Sequence, residues 1–324
     1  MQGADPARPL LDRRRFLAAI GVGLPTALAL GACSGSRSGA RTGQADDVPA
    51  PAPPPPTATP EPFVLPAGED TVLLMAGTPY ETPLYVFGSG RPGPIALALG
   101  GVHGNEPGGW LAAERVAAQV RPDAGGLLVA PHVNKVAMSL FQRTTDEIGD
   151  VNRAYPGRPD GTPAERIAYQ VVQAVRDFHV GLVVDMHESW AFYKDRPQNG
   201  TAFLGQTVAT NSPEPGPSIA RAAVAAVNQR IQSPVEEFFF RDRFGSNFAA
   251  APGVPEGPSP AGAAAPNAAG PGGVSRSSLG LSTYVPGVIA ILVEMGQQQA
   301  LERRIALHVD MFQELLRRQG VLSA

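Results

Sequence analysis

The sequence predicts an α/β fold in which helices cover both faces of a mixed, mostly parallel β-sheet within a single domain. Several short apolar runs, such as residues 94–101, contain no polar residue, which is typical of strands buried on both faces. These runs alternate with segments of helical periodicity, and this alternation favours a sheet with helices packed on it. The 324 residues are 43% hydrophobic and 17% charged, as in soluble globular proteins.

Seven segments are predicted as strands because each is a short apolar run, mostly bounded by turn-forming residues. In chain order they are residues 71–77, 82–88, 94–101, 126–133, 180–188, 201–209 and 287–296. Five of them, 94–101, 126–133, 180–188, 201–209 and 287–296, are predicted to be buried inside the sheet.

Four segments are predicted as helices, at residues 109–120, 162–178, 216–231 and 298–319. In the second, Thr162 is expected to cap the helix and Pro163 to occupy its first position. The last is amphipathic, with one apolar stripe. That stripe consists of Leu301, Ile305, Val309, Phe312 and Leu316.

Residues 1–33 have the layout of an export signal: the arginines at 13–15, an apolar stretch from Phe16, and "LGAC" ending at Cys33. The arginines followed by "FL" resemble a twin-arginine signal, and "LGAC" resembles a bacterial lipobox. We therefore expect Cys33 to be lipidated and the protein to be exported and lipid-anchored outside the cytoplasmic membrane, or in the periplasm. The alternative is a single transmembrane anchor, which the short run with Gly and Pro does not favour.

Residues 34–66 are Ser/Gly-rich and then Pro-rich, which is typical of an extended linker that holds a domain away from a membrane. A folded domain is expected over 67–324. Within it, about 249–278 is too poor in large apolar residues to pack and is predicted to be an inserted loop. Cys33 is the only cysteine, so the chain can form no internal disulfide and offers no catalytic thiol in the domain.

Several function classes are not favoured by the sequence. The formal net charge is -3, which does not indicate a nucleic-acid surface. No G-x-S-x-G nucleophile motif is present. The glycines near His103 are not followed by the G-K-[ST] of a phosphate-binding loop.

Polar side chains follow or end three of the predicted buried strands. His103 and Glu106 come after 94–101, His187 ends the run at 180–188, and Glu294 lies near the end of 287–296. Ligands of open α/β sheets bind at the carboxyl ends of the strands, so these residues could converge on one site.

Two histidines and one carboxylate are a common ligand set for catalytic zinc, and a glutamate can serve as general base and acid. Alternatives remain for each residue. His103 and Glu106 could lie in a solvated glycine-rich turn, His187 could be a core histidine, and Glu294 a buried structural acid. Asp185 could orient the His187 imidazole or be a buried, paired acid. The remaining histidines, His132, His179 and His308, are expected to be structural.

Four motifs in order, "GGVHGNEPGG", "DVNRAYPG", "DMHES" and "ILVEMG", resemble the zinc metallocarboxypeptidase superfamily, and within it the succinylglutamate desuccinylase/aspartoacylase branch. The resemblance covers roughly residues 70–318 apart from the insertion. It implies a zinc carboxypeptidase-like catalytic domain with one zinc ion per chain. It further implies that His103, Glu106 and His187 are the zinc ligands and that Glu294 is the catalytic glutamate.

The resemblance also implies substrate contacts. Asn152 and Arg153 match a pair that holds a substrate carboxylate, for which a guanidinium fork is suited; the alternative is a surface pair. Arg143 is matched to an arginine that polarises the scissile carbonyl. The chain departs from the branch before Glu294, where Tyr284 stands in a segment without arginine. Tyr284 is expected either to contact substrate or to pack at a strand edge.

A second departure follows Glu294, where the branch is expected to carry a further small domain. Here the sequence after Glu294 accommodates little more than the helix predicted at 298–319, as in a single-domain carboxypeptidase. Both departures concern the specificity for the acyl group.

The leading hypothesis is a zinc-dependent hydrolase that cleaves an amide bond next to a free carboxylate, outside the cytoplasmic membrane. Its substrates would be peptides, including cell-wall peptides, or alternatively small N-acyl amino acids. A hypothesis of another class is a non-catalytic surface binding lipoprotein, which the linker, the anchor and the insertion motivate. The membrane is expected as a partner only through the lipid anchor, and nucleic acid is not expected as one.

Overall fold

Eight strands form one mixed β-sheet in the computed structural model, which describes residues 63–194, 203–242 and 275–324. The strands are β1 (Gly68–Leu74), β2 (Thr82–Gly88), β3 (Ile95–Leu99), β4 (Gly126–Ala130), β5 (Leu182–Ser189), β6 (Thr207–Thr210), β7 (Phe239–Asp242) and β8 (Ile289–Gly296). Their order in the sheet is β1-β2-β4-β3-β5-β8-β6-β7. Four neighbouring pairs are parallel: β4-β3, β3-β5, β5-β8 and β6-β7. The other three pairs, β1-β2, β2-β4 and β6-β8, are antiparallel. The predicted fold class is confirmed.

The centre of the sheet is formed by the strands whose sequences are continuously apolar. Every residue of β3, β4, β5 and β8 is buried. By contrast, β1 lies at the edge of the sheet and is mostly exposed. Burial on both faces explains why the central strands show no alternation of polar and apolar residues.

Six helices accompany the strands within the described ranges. They are α1 (Pro107–Gln119), α2 (Lys135–Ser139), α3 (Pro163–Asp177), α4 (Gly216–Asn228), α5 (Leu281–Tyr284) and α6 (Leu301–Gln319). As predicted, Thr162 caps α3: its side chain accepts from the Glu165 backbone N–H, and Glu165 bonds back to the Thr162 backbone. Pro163 begins that helix.

Helices cover the two faces of the sheet differently. Helices α1, α4 and α6 pack together over one face, with side chains such as Val184, Ile291 and Val293 beneath them. Helix α3 instead contacts β1 and the 3₁₀ turn Val151–Arg153. Asp185 and Leu292 alternate with the core side chains of the first face and therefore point to the second. Polar side chains of the central strands can thus meet on the face that the three-helix layer does not cover.

The strand predicted at 201–209 is wrong over residues 203–206, because β6 begins only at Thr207, and residues 201–202 lie outside the described residues. Just before it, Gly205 lies against the backbone of Gly296 and the carbonyl oxygen of Ala191, where an added Cβ would come within 2.6 Å of both. Gln206 then has a left-handed φ of 60°, which interrupts an extended strand. Strand β7 and the short helices α2 and α5 had no counterpart in the predicted elements.

Several predicted segments lie wholly or mainly outside the described residues: the export signal with Cys33, the linker up to residue 62, and the insertion as far as residue 274. They stay predictions. The last residues attributed to the insertion are described, and among them Ser277 and Ser278 are buried. In the described ranges, none of the helices has the length and apolar character needed to cross a membrane.

Candidate metal centre

His103 and Glu106 are placed by a tight turn that leaves β3. Gly101 adopts a left-handed φ of 70°, which an L side chain rarely adopts. Gly104 lies against the backbone of α2, where an added Cβ would come within 2.3 Å of the Ala137 carbonyl group. Glu106 directly precedes α1. The glycines therefore let the chain turn sharply and pack closely, which brings both polar side chains back over the sheet.

His187 and Glu294 are held by neighbouring parallel strands. They are register partners in the β5-β8 pair. Both strands continue for two residues beyond them, to Ser189 and Gly296, so the two residues lie within the strands rather than after them. Both side chains share the face onto which Asp185 points.

The three predicted ligands form one buried cluster. Glu106 Oε1 lies 2.7 Å from His103 Nδ1, and Glu106 Oε2 lies 2.9 Å from His187 Nδ1. The two Nδ1 atoms are 3.1 Å apart. One donor atom of each residue lies within 4.8 Å of the others, and each residue is at most 3% exposed.

This donor set fits a zinc ion. Tetrahedral zinc with nitrogen ligands at about 2.1 Å needs ligand atoms about 3.4 Å apart, similar to the separations in the cluster. Each imidazole also directs its Nε2 to another carboxylate, as zinc-binding histidines do. His103 Nε2 is 3.3 Å from Asp150 Oδ1, and His187 Nε2 is 2.9 Å from Asp185 Oδ2. The second contact has the distance of an ion pair, although the ring N–H is not aligned on the oxygen.

Arg143 contacts the cluster directly. Its Nη1 donates to Glu106 Oε1 over 2.8 Å, and its carbonyl oxygen accepts from the Gly104 N–H. The side chain is 44% exposed. Burial disfavours the ionised form of Glu106, but the charges of His103 and His187 and their hydrogen bonds hold its pKa well below the usual range. Glu106 is thus anionic, as a metal ligand must be.

Asp150 is a site residue that the sequence reasoning missed. Its Oδ1 accepts from the Asn152 backbone N–H over 2.8 Å and faces His103. Burial raises the pKa of Asp150, but the hydrogen bond to His103 and that residue's charge lower it to about 2. The signal that could have revealed it is local, since Asp150 opens the "DVNR" motif that contains Asn152.

Asn152 and Arg153 lie on the 3₁₀ turn beside the cluster. Asn152 is 6% exposed, and its Oδ1 accepts from the Ser278 N–H over 3.0 Å. Arg153 Nη1 donates to the Asn152 carbonyl oxygen over 2.7 Å. Burial lowers the pKa of Arg153, while the charges of Asp150 and Glu294 oppose that change. The guanidinium is therefore within electrostatic reach of Glu294, and the pair is not an isolated surface feature.

Glu294 is a buried carboxyl with the protonation behaviour of an acid-base group. It is 8% exposed, and its Oε2 accepts from Ser189 Oγ over 3.1 Å. Burial, assisted by the negative charge of Glu106, raises its pKa to about 7, although His187 opposes this. A carboxyl group with a pKa near neutrality can both take and give a proton in that pH range.

Tyr284 lies at the end of α5. Its hydroxyl donates to the Ser275 carbonyl oxygen over 3.0 Å, and its own carbonyl oxygen accepts from Arg176. Burial raises the pKa of its hydroxyl. These contacts show how Tyr284 is held in place, and its contact with substrate stays a prediction.

Comparison with known sequences identifies the segment that carries the cluster. Residues 92–193 match the family model described as the succinylglutamate desuccinylase/aspartoacylase catalytic domain. One curated relative is the N-alpha-acetyl-L-2,4-diaminobutyric acid deacetylase of Halomonas elongata, which is 33% identical over 98 residues. That match spans 29% of this chain and 28% of the relative.

Solved structures share the fold at low sequence identity. Product-bound cell shape determinant protein Csd4 from Helicobacter pylori has a TM-score of 0.55 at 18% identity, over 71% of this chain and 52% of that chain. The product-bound ectoine utilization protein EutE (DoeB) from Ruegeria pomeroyi has 0.56 at 19%, over 81% and 70%. The succinylglutamate desuccinylase/aspartoacylase from Rhodobacter sphaeroides has 0.54 at 18%, over 80% and 67%.

These matches differ in what they establish. The structural likenesses establish the fold, and the chain spans about half the length of Csd4 and under a third of the deacetylase. The family match includes His103, Glu106, Arg143, Asn152, Arg153 and His187, whereas Glu294 lies beyond it. The predicted resemblance is confirmed for this segment: residues 92–193 are similar to the catalytic domain of the succinylglutamate desuccinylase/aspartoacylase family, whose named members are hydrolases, and the chain shares its fold with a solved structure described by that family's name.

Proposed function

We propose that this protein is a metal-dependent hydrolase that cleaves an amide bond adjacent to a free carboxylate. One zinc ion per chain would be held by His103, Glu106 and His187. The observation that carries the proposal is the convergence of these three donors in one buried cluster whose neighbouring strand presents Glu294. The match of residues 92–193 to the succinylglutamate desuccinylase/aspartoacylase catalytic domain, whose named members are hydrolases, supports it.

The residues around the cluster divide the chemistry between them. When bound, zinc would act as a Lewis acid on the scissile carbonyl oxygen. Glu294 takes a proton from the attacking water and gives it to the leaving nitrogen. Arg143 stabilises the negative charge that develops on the carbonyl oxygen. Asn152 and Arg153 hold the free carboxylate and so orient the amide bond.

Two substrate classes fit this arrangement. Peptides, including cell-wall peptides, would suit a carboxypeptidase, and Csd4, which shares the fold, is described as a D,L-carboxypeptidase. Small N-acyl amino acids would suit a deacylase, as the curated relative is a deacetylase. A panel of both classes, assayed with the zinc-loaded protein, separates them by relative kcat/KM.

Glutamate 294 provides the decisive test. Purified protein is expected to contain about one zinc per chain, and Glu294→Gln is expected to keep that zinc while kcat falls by about 100-fold or more. Glu302→Gln, on the exposed surface, is the matched control and should leave both unchanged. A well-folded wild type without metal would contradict the proposal. If the turnover by wild type is no higher than the background seen with Glu294→Gln on every substrate of the panel, a non-catalytic surface binding lipoprotein would instead be favoured.

We also propose that the protein acts outside the cytoplasmic membrane on a lipid attached to Cys33. The arginines at 13–15, the apolar stretch that follows and "LGAC" support this location. A twin-arginine route would export the domain already folded, so zinc could be loaded in the cytoplasm. Replacing the three arginines with lysine should block export, and Cys33→Ser should release the exported protein from membranes. Continued export of the lysine variant would count against the route.

A further inference from the structure

Gln206 is a buried residue with an unusual backbone conformation directly before β6. Its φ of 60° lies in the left-handed region, which a glutamine rarely adopts and which costs free energy. The residue is 1% exposed, so contacts with the rest of the fold must hold it in this conformation. Thr207, the next residue, is level with Glu294 in the β6-β8 pair. The strained residue therefore lies beside the strand that carries the proposed acid-base group.

The left-handed backbone lets the Gln206 side chain replace a hydrogen bond of the β6-β8 ladder. Because Thr207 stands opposite Glu294, a regular antiparallel strand would next bring Gly205 opposite Gly296. The turn at Gln206 ends the backbone pairing instead, and its side-chain Oε1 accepts from the Gly296 N–H over 3.0 Å. Gly296 is buried, so its N–H would be costly to leave without a partner.

The same residue also bonds to three further segments. Gln299 Nε2, in the loop between β8 and α6, donates to Gln206 Oε1 over 3.0 Å. Gln206 Nε2 donates over 2.9 Å to the carbonyl oxygen of Glu236, in the 3₁₀ turn Pro234–Glu236 that precedes β7. The backbone carbonyl oxygen of Gln206 accepts from the Phe239 N–H of β7 over 2.8 Å. Gln206 therefore connects the end of β8 to its surroundings and is itself fixed by them.

Glu294 depends on the Gln206 side chain because its strand has no further backbone pairing on the β6 side. The β6-β8 ladder ends at Thr207 and Glu294, whereas on the other side β8 remains paired with β5 up to Gly296. A strand end that loses hydrogen bonds opens more readily. None of the proposed metal ligands lies on β8. Movement of this strand end would consequently displace Glu294 relative to the metal ligands without disturbing the ligands themselves.

We propose that Gln206 is a positioning residue for Glu294: its amide fixes the carboxyl end of β8 and thereby sets the place of the Glu294 carboxyl beside the metal ligands. This inference rests on the proposed function, in which Glu294 transfers the proton. Gln206 acts through the strand and not on the substrate. A left-handed backbone at a residue other than glycine persists where the surrounding structure holds it, as these hydrogen bonds do.

Two variants of the full chain test the inference. Gln206→Met keeps the length of the side chain but loses its hydrogen bonds. Gln206→Asn keeps an amide on a residue that tolerates the left-handed region, but the side chain is shorter by one methylene. In the zinc-free protein, both should speed the amide hydrogen exchange of Gly296 by about tenfold or more, measured by NMR. Gln206→Asn, the milder change, provides the test if Gln206→Met does not fold.

Kinetics and zinc binding separate positioning from a general loosening of the site. In both variants kcat should fall by about 10–100-fold, because a small displacement of a reacting group is costly, while zinc affinity stays unchanged. Gln298→Met is the matched control, since Gln298 is exposed in the loop that contains Gln299. It should match wild type in all three measurements. The inference is overturned if Gly296 exchanges at the wild-type rate in both variants, or if zinc affinity falls by the same factor as kcat.

Turnover also separates this inference from the proposed function. If wild type hydrolyses substrates of the panel and both Gln206 variants keep its kcat, the positioning role of Gln206 is wrong and the hydrolase stands. If nothing is hydrolysed while the exchange of Gly296 still depends on Gln206, the hydrolase proposal is wrong and the fixing of β8 by Gln206 stands.

Discussion

At the scale of single residues, the centre is built from paired groups rather than from the three ligands alone. His103 presents Nδ1 to Glu106 and Nε2 to Asp150, and His187 does the same between Glu106 and Asp185. A carboxylate on the outer nitrogen fixes the orientation of the ring and makes the inner nitrogen a better ligand. Asp150 should therefore matter for metal affinity although it does not belong to the ligand set.

Replacing Asp150 with Asn tests this role. The amide oxygen can still cap the 3₁₀ turn by accepting from the Asn152 N–H, but the negative charge facing His103 is lost. We expect zinc affinity to fall by about 10–100-fold, measured by competition with a chelator of known affinity. Asp146→Asn, an exposed change in the same segment, should bind zinc like wild type. An unchanged affinity in Asp150→Asn would show that His103 needs no anionic partner.

At the scale of elements, helix α6 is tied to the strand that carries His187. Arg304 Nη1 lies 2.7 Å from both carboxylate oxygens of Glu188, and the Glu188 side chain is fully buried. The same carboxylate accepts from Gln297 and from the Gly108 N–H in the first turn of α1. The Glu188 backbone N–H donates to Glu106 Oε2 over 3.0 Å. One buried ion pair thus joins α6, α1, β5 and a metal ligand.

Removing Arg304 should be costly because it leaves the Glu188 charge buried without its main partner. Arg304→Met is expected to lower the free energy of unfolding by about 3–5 kcal/mol, measured by urea denaturation of the zinc-free protein. Arg303→Met, in which a 40% exposed arginine loses its partner Glu236, should cost less than about 1 kcal/mol. Adding Glu188→Gln to Arg304→Met should restore part of the lost free energy of unfolding, because no unpaired charge is then buried. If the effects of the two single substitutions simply add in the double variant, Glu188 and Arg304 are not coupled.

His308, a buried histidine of α6, makes the stability of the fold depend on pH. It is 1% exposed, and within the described part of the chain its ring nitrogens make no well-aligned hydrogen bond, although the ring lies beside the backbone of His187. Burial, assisted by the charge of His187, lowers its pKa from 6.5 to about 3. As pH falls, His308 takes up a proton in the unfolded chain before it does so in the folded protein. The free energy of unfolding therefore keeps its full His308 contribution above about pH 6.5 and loses it as pH falls toward 3.

The pH dependence of unfolding tests this assignment. Between pH 7 and pH 5, wild type stripped of metal should lose about 2 kcal/mol more than His308→Gln, measured by urea denaturation at each pH. His132→Gln should follow wild type, because His132 is partly exposed and paired with Glu114. Parallel curves for wild type and His308→Gln would mean that His308 titrates in the same way in the folded and unfolded states, which would contradict the assignment.

At the scale of the whole molecule, the features that can be predicted from the sequence are those that depend on neighbouring residues in the chain. Contacts between segments that lie far apart in the chain cannot be predicted in this way. The buried strands were recognisable because apolar runs such as 94–101 report burial on both faces. The ligands were recognisable because they lie in motifs or at strand ends. Strand β7 escaped because four residues at a sheet edge carry too short a pattern. The role of Asp150 is visible only in the fold, because its contact with His103 joins residues that lie 47 positions apart in the chain.

Metal binding should stabilise the whole domain without being needed for it to fold. The buried histidines and Glu106 contact one another, and His103 also contacts Asp150, although His187 Nε2 and the Asp185 oxygens have no aligned hydrogen bond. These contacts are expected to hold the cluster together when the metal is absent. Zinc that binds only the folded state adds stability by mass action, about 2.7 kcal/mol at 100 times the dissociation constant. The metal-free protein should therefore keep its circular dichroism spectrum but unfold at a lower temperature, and zinc should restore the higher one. His187→Gln should abolish the zinc-dependent shift and His132→Gln should keep it. Loss of the fold on metal removal would show that the polar groups of the cluster cannot stabilise one another without the metal.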